Sequence, residues 1–175
     1  MNTIILPGFS KRNQEWAVEA QAELQSADID SQVHEWAHWE TGRDGDFAAE
    51  NEVEKILEAV GEEEANLLAK SVGTLVAMLI VAHARDQLNK IILCGIPYKW
   101  DGLKDKERHE YQHLSDLDTS QIQVFQNEHD PLSTYDEVEE LVHSVNPDIE
   151  VTSKPRDDHH YPYYEDFIRF LSEGS

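Results

Sequence analysis

Cysteine is almost absent from this chain. Cys94 stands alone among 175 residues, so no internal disulfide can form and nothing calls for an oxidising compartment. Positive charge is scarce, with 14 basic side chains against 36 acidic ones and a net charge of −22. Phosphate groups are gripped by a basic face, so neither a nucleic acid nor an anionic membrane is expected as a partner. Long apolar runs are missing as well. The longest, Val72 to Ala82, is about half of the roughly 20 residues that a membrane-crossing helix needs. The opening residues carry no basic cluster ahead of their apolar ones, so no signal peptide is expected. Repeats, low-complexity tracts and dividing linkers are also lacking. What remains is 39% hydrophobic residues, enough for a core despite the charge. The expectation is one soluble, cytoplasmic domain over residues 1–175, monomeric or a small homo-oligomer.

The apolar pattern alternates between short runs and helical stripes. Thr3–Leu6 is a β-branched run that stops at Pro7 and Gly8, as a buried strand running into a turn does. Lys11 to Gln25 predicts a helix with a stripe at Trp16, Ala20 and Leu24. A second strand is expected over Ile29–Trp36, then a helix from Phe47 to Val60 closed by Gly61. Asn66–Ala69 predicts a third strand, followed by a strongly apolar helix from Thr74 to Leu88 and a fourth strand over Lys90–Cys94. Tyr98 to Asp118 is expected to be irregular and charged, with room for one short helix. A fifth strand over Gln121–Gln126, a helix over Tyr135–Val145, a sixth strand over Ile149–Ser153 and a helix over Tyr163–Leu171 complete the pattern. Strands alternating with helices of this length imply βαβ units. The fold class is therefore α/β, a three-layer sandwich around a mostly parallel sheet of about six strands.

Chemistry concentrates at the predicted strand ends. Between the third strand and its helix lie Ala69, Lys70, Ser71, Val72 and Gly73, one step from G-x-S-x-G. A serine on such a tight turn is lifted out of the sheet and faces the positive end of a helix dipole, and small residues two positions either side let the backbones approach. A serine capping a helix is the ordinary reading of that position. Asp130 follows the fifth strand, and His159 and His160 follow the sixth. In a parallel sheet these loops share one edge, where ligands bind. The order serine, aspartate, histidine matches the chain order of the triad in one hydrolase fold.

On these residues the chain resembles small lidless α/β-hydrolases, the YqiA-type esterases and the retinoblastoma-binding-protein-9 family. Pro7, Gly8 and Phe9 stand where that family has a His-Gly-x turn after its first strand, and Ala69 stands at its first elbow glycine. Glu128, His129 and Asp130 correspond to the acid loop, and Asp158, His159 and the aromatic helix ending in Phe170 and Leu171 to the histidine segment. The resemblance implies a minimal α/β-hydrolase and a serine hydrolase, carboxylesterase-like, that cleaves small carboxylic esters or thioesters through an acyl-enzyme. In it Ser71 attacks, His159 moves the proton and Asp130 orients the imidazole, with His160 as the alternative base. The backbone N–H groups of Phe9 and Val72 would form the oxyanion hole. No cofactor or metal is implied, and the partner is a small acyl substrate.

One competing motif is present. His34, Glu35 and His38 fit H-E-x-x-H, which on a helix binds zinc. The segment is predicted extended, and an extended chain cannot put both histidines on one face. His38 and Trp39, with Tyr98 and Trp100 after the fourth strand, are expected instead to border a substrate pocket. A lid domain does not fit between the fourth and fifth strands, so that pocket should be shallow and open. The main rival to an enzyme is the same fold with an idle triad, binding a protein partner through its aromatic rim.

Overall fold

The computed structural model describes residues 1–173 and bears out the three-layer α/β sandwich. Its six strands are β1 (Asn2–Leu6), β2 (Ser31–Val33), β3 (Ala65–Lys70), β4 (Leu88–Cys94), β5 (Ile122–Asn127) and β6 (Val151–Lys154). They form one sheet in the order β2-β1-β3-β4-β5-β6. Every pairing is parallel, so all the C-terminal strand ends meet at one edge. The helices are α1 (Asn13–Ser26), α2 (Ala37–Thr41), α3 (Ala49–Val60), α4 (Val72–Ala84), α5 (Asp105–His109), α6 (Tyr135–Val145) and α7 (Tyr164–Ser172).

Alternation along the strands divides the core. Ile5, Leu68, Ile92, Cys94 and Phe125 face a layer made by Trp16, Ala17, Ala20 and Leu24 of α1 with Phe167 and Leu171 of α7. Leu6, Leu67, Ala69, Ile91 and Leu93 face the other way, onto α3, α4 and α6. β3 is buried along its whole length, as a central parallel strand with helices on both sides must be. Among the described residues no helix is long and apolar enough to cross a membrane.

Several boundaries differ from expectation: β6 starts at Val151 rather than Ile149, a short helix (α2) replaces extended chain at Ala37–Thr41, and three further shifts have a visible cause. β2 stops at Val33 rather than Trp36, because the Trp36 indole turns back to donate to the Gly8 carbonyl at 3.1 Å. α3 begins at Ala49, leaving Phe47 to pack edge-on against Phe9 and Trp36. α4 ends at Ala84, and Leu88 is drawn into β4 by pairing with Ala65. The β4–β5 connection is more anchored than its charge suggests. Leu103, Tyr111, Leu114 and Leu117 are buried, and the Tyr111 hydroxyl shares a 2.7 Å hydrogen bond with Thr74 Oγ1 of α4.

Candidate active site

Ser71 occupies the single-residue joint between β3 and α4, with φ 57° and ψ −126°. Non-glycine residues avoid this left-handed region, at a cost of about 1–3 kcal/mol, and here the surroundings hold it in place. The Ser71 N–H donates to the Cys94 carbonyl at 2.9 Å, while its own carbonyl accepts from the Thr74 N–H at 2.8 Å and hydroxyl at 2.7 Å. Gly73 lets the helix start against β1, since a Cβ there would come within 2.2 Å of the Leu6 carbonyl oxygen. The small residue expected after the serine thus answers to a specific backbone contact.

Asp130 lies in the loop after β5 and is fully enclosed. Its Oδ2 accepts from His159 Nδ1 at 2.6 Å and from the Tyr161 hydroxyl at 2.6 Å, and its Oδ1 accepts from the Leu132 N–H at 2.8 Å. A carboxylate with three donors is held in one orientation. His159 Nε2, the ring nitrogen opposite, is buried and has no hydrogen-bond partner among the described residues. Asn127 fixes the backbone on both sides of His159, its side-chain amide donating to the Asp158 carbonyl at 2.8 Å and the His160 carbonyl at 2.9 Å. Gly95, at φ 61°, leaves room for the ring, because a Cβ there would lie 2.9 Å from His159 Cε1. His160 forms no ion pair with a carboxylate among the described residues, and burial followed by the Lys70 and Arg156 charges lowers its pKa.

Lys70, one residue before Ser71, is buried. Its ammonium donates to Asn13 Oδ1 at 2.6 Å and lies 5.5 Å from the Trp16 ring. Burial lowers its pKa to about 8, against the opposing pull of Cys94 and Asp130. Burial, and then the neighbouring Asp130 charge, hold the Tyr161 phenol above its ordinary range, so it remains a donor at neutral pH.

The turn after β1 is clamped from behind. The Phe9 carbonyl accepts from His38 Nε2 and from the Trp39 indole, each at 2.8 Å. A carbonyl only accepts, so His38 carries its proton on Nε2. His38 and Trp39 are therefore not on the pocket rim as expected. Both are buried, because their ring N–H groups reach inward to this carbonyl. Tyr98 borders a different surface hollow, with Arg108 and Leu141. Trp100 does line a cleft of about 260 Å³, shared with Phe9, Phe47, Val72, Leu75 and Leu103. A larger hollow of about 490 Å³ sits among Lys90, Thr119 and Ile122. That is at the strands' opposite ends, far from the predicted chemistry.

The zinc motif is dismantled in three dimensions. His34 Nε2 pairs with Glu52 Oε2 at 2.7 Å, Glu35 accepts from the Gln14 amide at 2.7 Å, and His38 is engaged with Phe9 as above. No group of three His, Cys, Asp or Glu side chains suited to a metal ion occurs among the described residues. Neither apolar periodicity nor motif spacing assigns a site role to Tyr161, Asn127 or Lys70. A polar residue closing a strand, as Asn127 does, and a tyrosine two places beyond the histidine were the available signals.

No family model matches the chain, and no curated protein matches it. Solved structures do. Est1E from Butyrivibrio proteoclasticus, solved with ferulic acid bound, superposes with a TM-score of 0.76 at 14% identity, covering 97% of this chain and 87% of that one. The ydeN gene product of B. subtilis gives a TM-score of 0.71 at 14% identity, covering 98% of each chain. A marine microorganism esterase gives 0.61 at 16% identity, covering 97% of this chain and 93% of its own. With the sheet order, the strained serine joint and these neighbours together, the chain has the α/β-hydrolase fold.

Proposed function

We propose that the protein is a serine hydrolase that cleaves small carboxylic esters or thioesters. Ser71 is the nucleophile, His159 the base and then the acid, and Asp130 the carboxylate that holds the imidazole in its working tautomer. The observation that carries this reading is the 2.6 Å hydrogen bond from His159 Nδ1 to the buried Asp130. That bond leaves Nε2 as the only ring nitrogen able to take a proton. The same bond favours His159 over His160. Neighbours that include an esterase and a protein holding ferulic acid support ester cleavage.

In the first half-reaction Ser71 Oγ bonds to the acyl carbon while His159 Nε2 takes the hydroxyl proton. The ester C–O bond then breaks, and the proton passes to the departing alcohol. A water molecule repeats the sequence on the acyl-enzyme, releasing the acid and restoring Ser71. The Phe9 and Val72 N–H groups stabilise the oxyanion, each worth about 3–4 kcal/mol in comparable sites. The lone, buried, unpaired Cys94 fits work in the cytoplasm. Covalent trapping by a fluorophosphonate tests the reading: Ser71 becomes modified in the wild type, and the Ser71→Ala protein stays unmodified.

A further inference from the structure

We infer that the cleft walled by Phe9, Phe47 and Trp100 is the acyl subsite, and that it selects a neutral acyl group bearing an aromatic ring. The inference rests on the reading of Ser71 as an acyl-accepting nucleophile.

Connectivity comes first. Phe9 and Val72, whose N–H groups would hold the carbonyl oxygen, both line this cleft. Ser71 precedes Val72 and does not itself line the cleft, so an acyl group held by those two N–H groups would reach between the walls from its edge. The chemistry of those walls comes next. Phe9 lies 5.4 Å from Phe47 and 6.1 Å from Trp100 between ring centroids, and Leu75 and Leu103 add apolar side chains to a lining that is polar elsewhere, at Asp44, Lys104 and Glu107. Aromatic rings attract one another at centroid separations of about 4.5–7 Å in edge or offset geometry. An entering ring therefore gains contacts that an alkyl chain of equal area does not.

Size and charge narrow the class. The cleft measures about 260 Å³, just under the roughly 300–1,000 Å³ of sites that enclose whole drug-sized ligands. It suits one ring on a short linker rather than a long chain. Its lining also includes Asp44 and Glu107 against Lys104 alone, on a molecule of net charge −22. A carboxylated acyl group would meet repulsion there.

The Trp100 wall is also built to stay in place. Arg108 donates from Nε to the Tyr98 carbonyl at 2.8 Å and from Nη2 to the Trp100 carbonyl at 2.9 Å. The indole lies flat over Gly102, where a Cβ would come within 2.3 Å of the ring. Glycine at 102 is what lets the ring occupy that position.

The test compares 4-nitrophenyl esters of acetate, phenylacetate, octanoate and hydrogen succinate on the purified protein, its Trp100→Ala variant and its Gly102→Ala variant. The expected wild-type order of kcat/KM is phenylacetate first, with octanoate below it and hydrogen succinate below acetate. Phenylacetate should exceed acetate about tenfold, the scale of a few aromatic contacts. That ratio should fall toward one in Trp100→Ala and drop in Gly102→Ala. A wild-type ratio of one or less, or a ratio unchanged in both variants, overturns the inference. If Ser71 is trapped by fluorophosphonate and acetate is turned over, that failure belongs to the acyl subsite alone. If Ser71 is inert in the folded protein, the hydrolase reading fails and the subsite fails with it.

Discussion

The carboxylate of Asp130 is the most heavily committed side chain of the site, and Tyr161 is the least expected of its donors. The tyrosine has no exposed surface. Besides donating to Asp130 Oδ2, its hydroxyl accepts from the Asn127 N–H at 3.2 Å. Removing it leaves a buried carboxylate short of a donor and a backbone N–H short of an acceptor. Each such loss costs about 1–3 kcal/mol. Tyr161→Phe is therefore expected to lower unfolding stability by at least about that much in urea denaturation. It should also lower kcat more than it raises KM, because the orientation of His159 rather than substrate contact is disturbed. A variant with wild-type stability and kcat would remove Tyr161 from the account. The position of Tyr161 two places beyond His159 is legible in the sequence, but its partner is not. The Tyr161–Asp130 contact joins residues far apart in sequence, and periodicity says nothing about which side chains converge through space. Ser71, Asp130 and His159 stood out because the positions where strands end can be read from apolar runs. Pairing His159 rather than His160 with Asp130 depended on a turn pinned by Asn127, which only the folded chain displays.

Among the elements, the joint between β3 and α4 carries the clearest tension between stability and chemistry. Its left-handed backbone at Ser71 suits glycine, yet the proposed chemistry requires a hydroxyl there. Ser71→Gly should raise unfolding stability by about 1 kcal/mol or more by relieving that strain. It should leave no fluorophosphonate adduct. A less stable Ser71→Gly protein would mean that the φ of 57° stores no strain. The helices and the central strands were readable because small and apolar residues recur at fixed periods. The ends of β2 and α3 were not. Trp36 is drawn out of its predicted strand by the Gly8 carbonyl, and Phe47 out of its predicted helix by packing against Phe9. Hydrogen bonds to the Phe9 carbonyl likewise hold His38 and Trp39 behind the turn after β1 rather than on the expected pocket rim.

At the scale of the whole molecule, the charge of −22 is the property that fold and site leave unexplained. Like charges on a compact body repel, and salt screens them. Between about 0.01 M and 1 M salt the Debye length falls from about 30 Å to about 3 Å. Each kcal/mol of repulsion removed should raise the thermal midpoint by about 2–4 °C. Thermal unfolding across that range is expected to show a steady rise with sodium chloride. A midpoint that is flat or falls would mean that the acidic side chains are already compensated by their ion pairs. Such compensation would be unexpected, since many of those pairs are exposed, Lys106 with Glu50 among them, and exposed pairs contribute about 0–1 kcal/mol each.

The central claim is that Ser71 is an activated nucleophile served by His159. Intact-mass measurement of fluorophosphonate labelling, on the wild type and on the Ser71→Ala, His159→Ala and His160→Ala proteins, tests it most directly. The account predicts one adduct per chain in the wild type and in His160→Ala, none in Ser71→Ala, and labelling slowed by about two orders of magnitude or more in His159→Ala. A folded wild-type protein that takes no label, or a His159→Ala protein that labels at the wild-type rate, would contradict it.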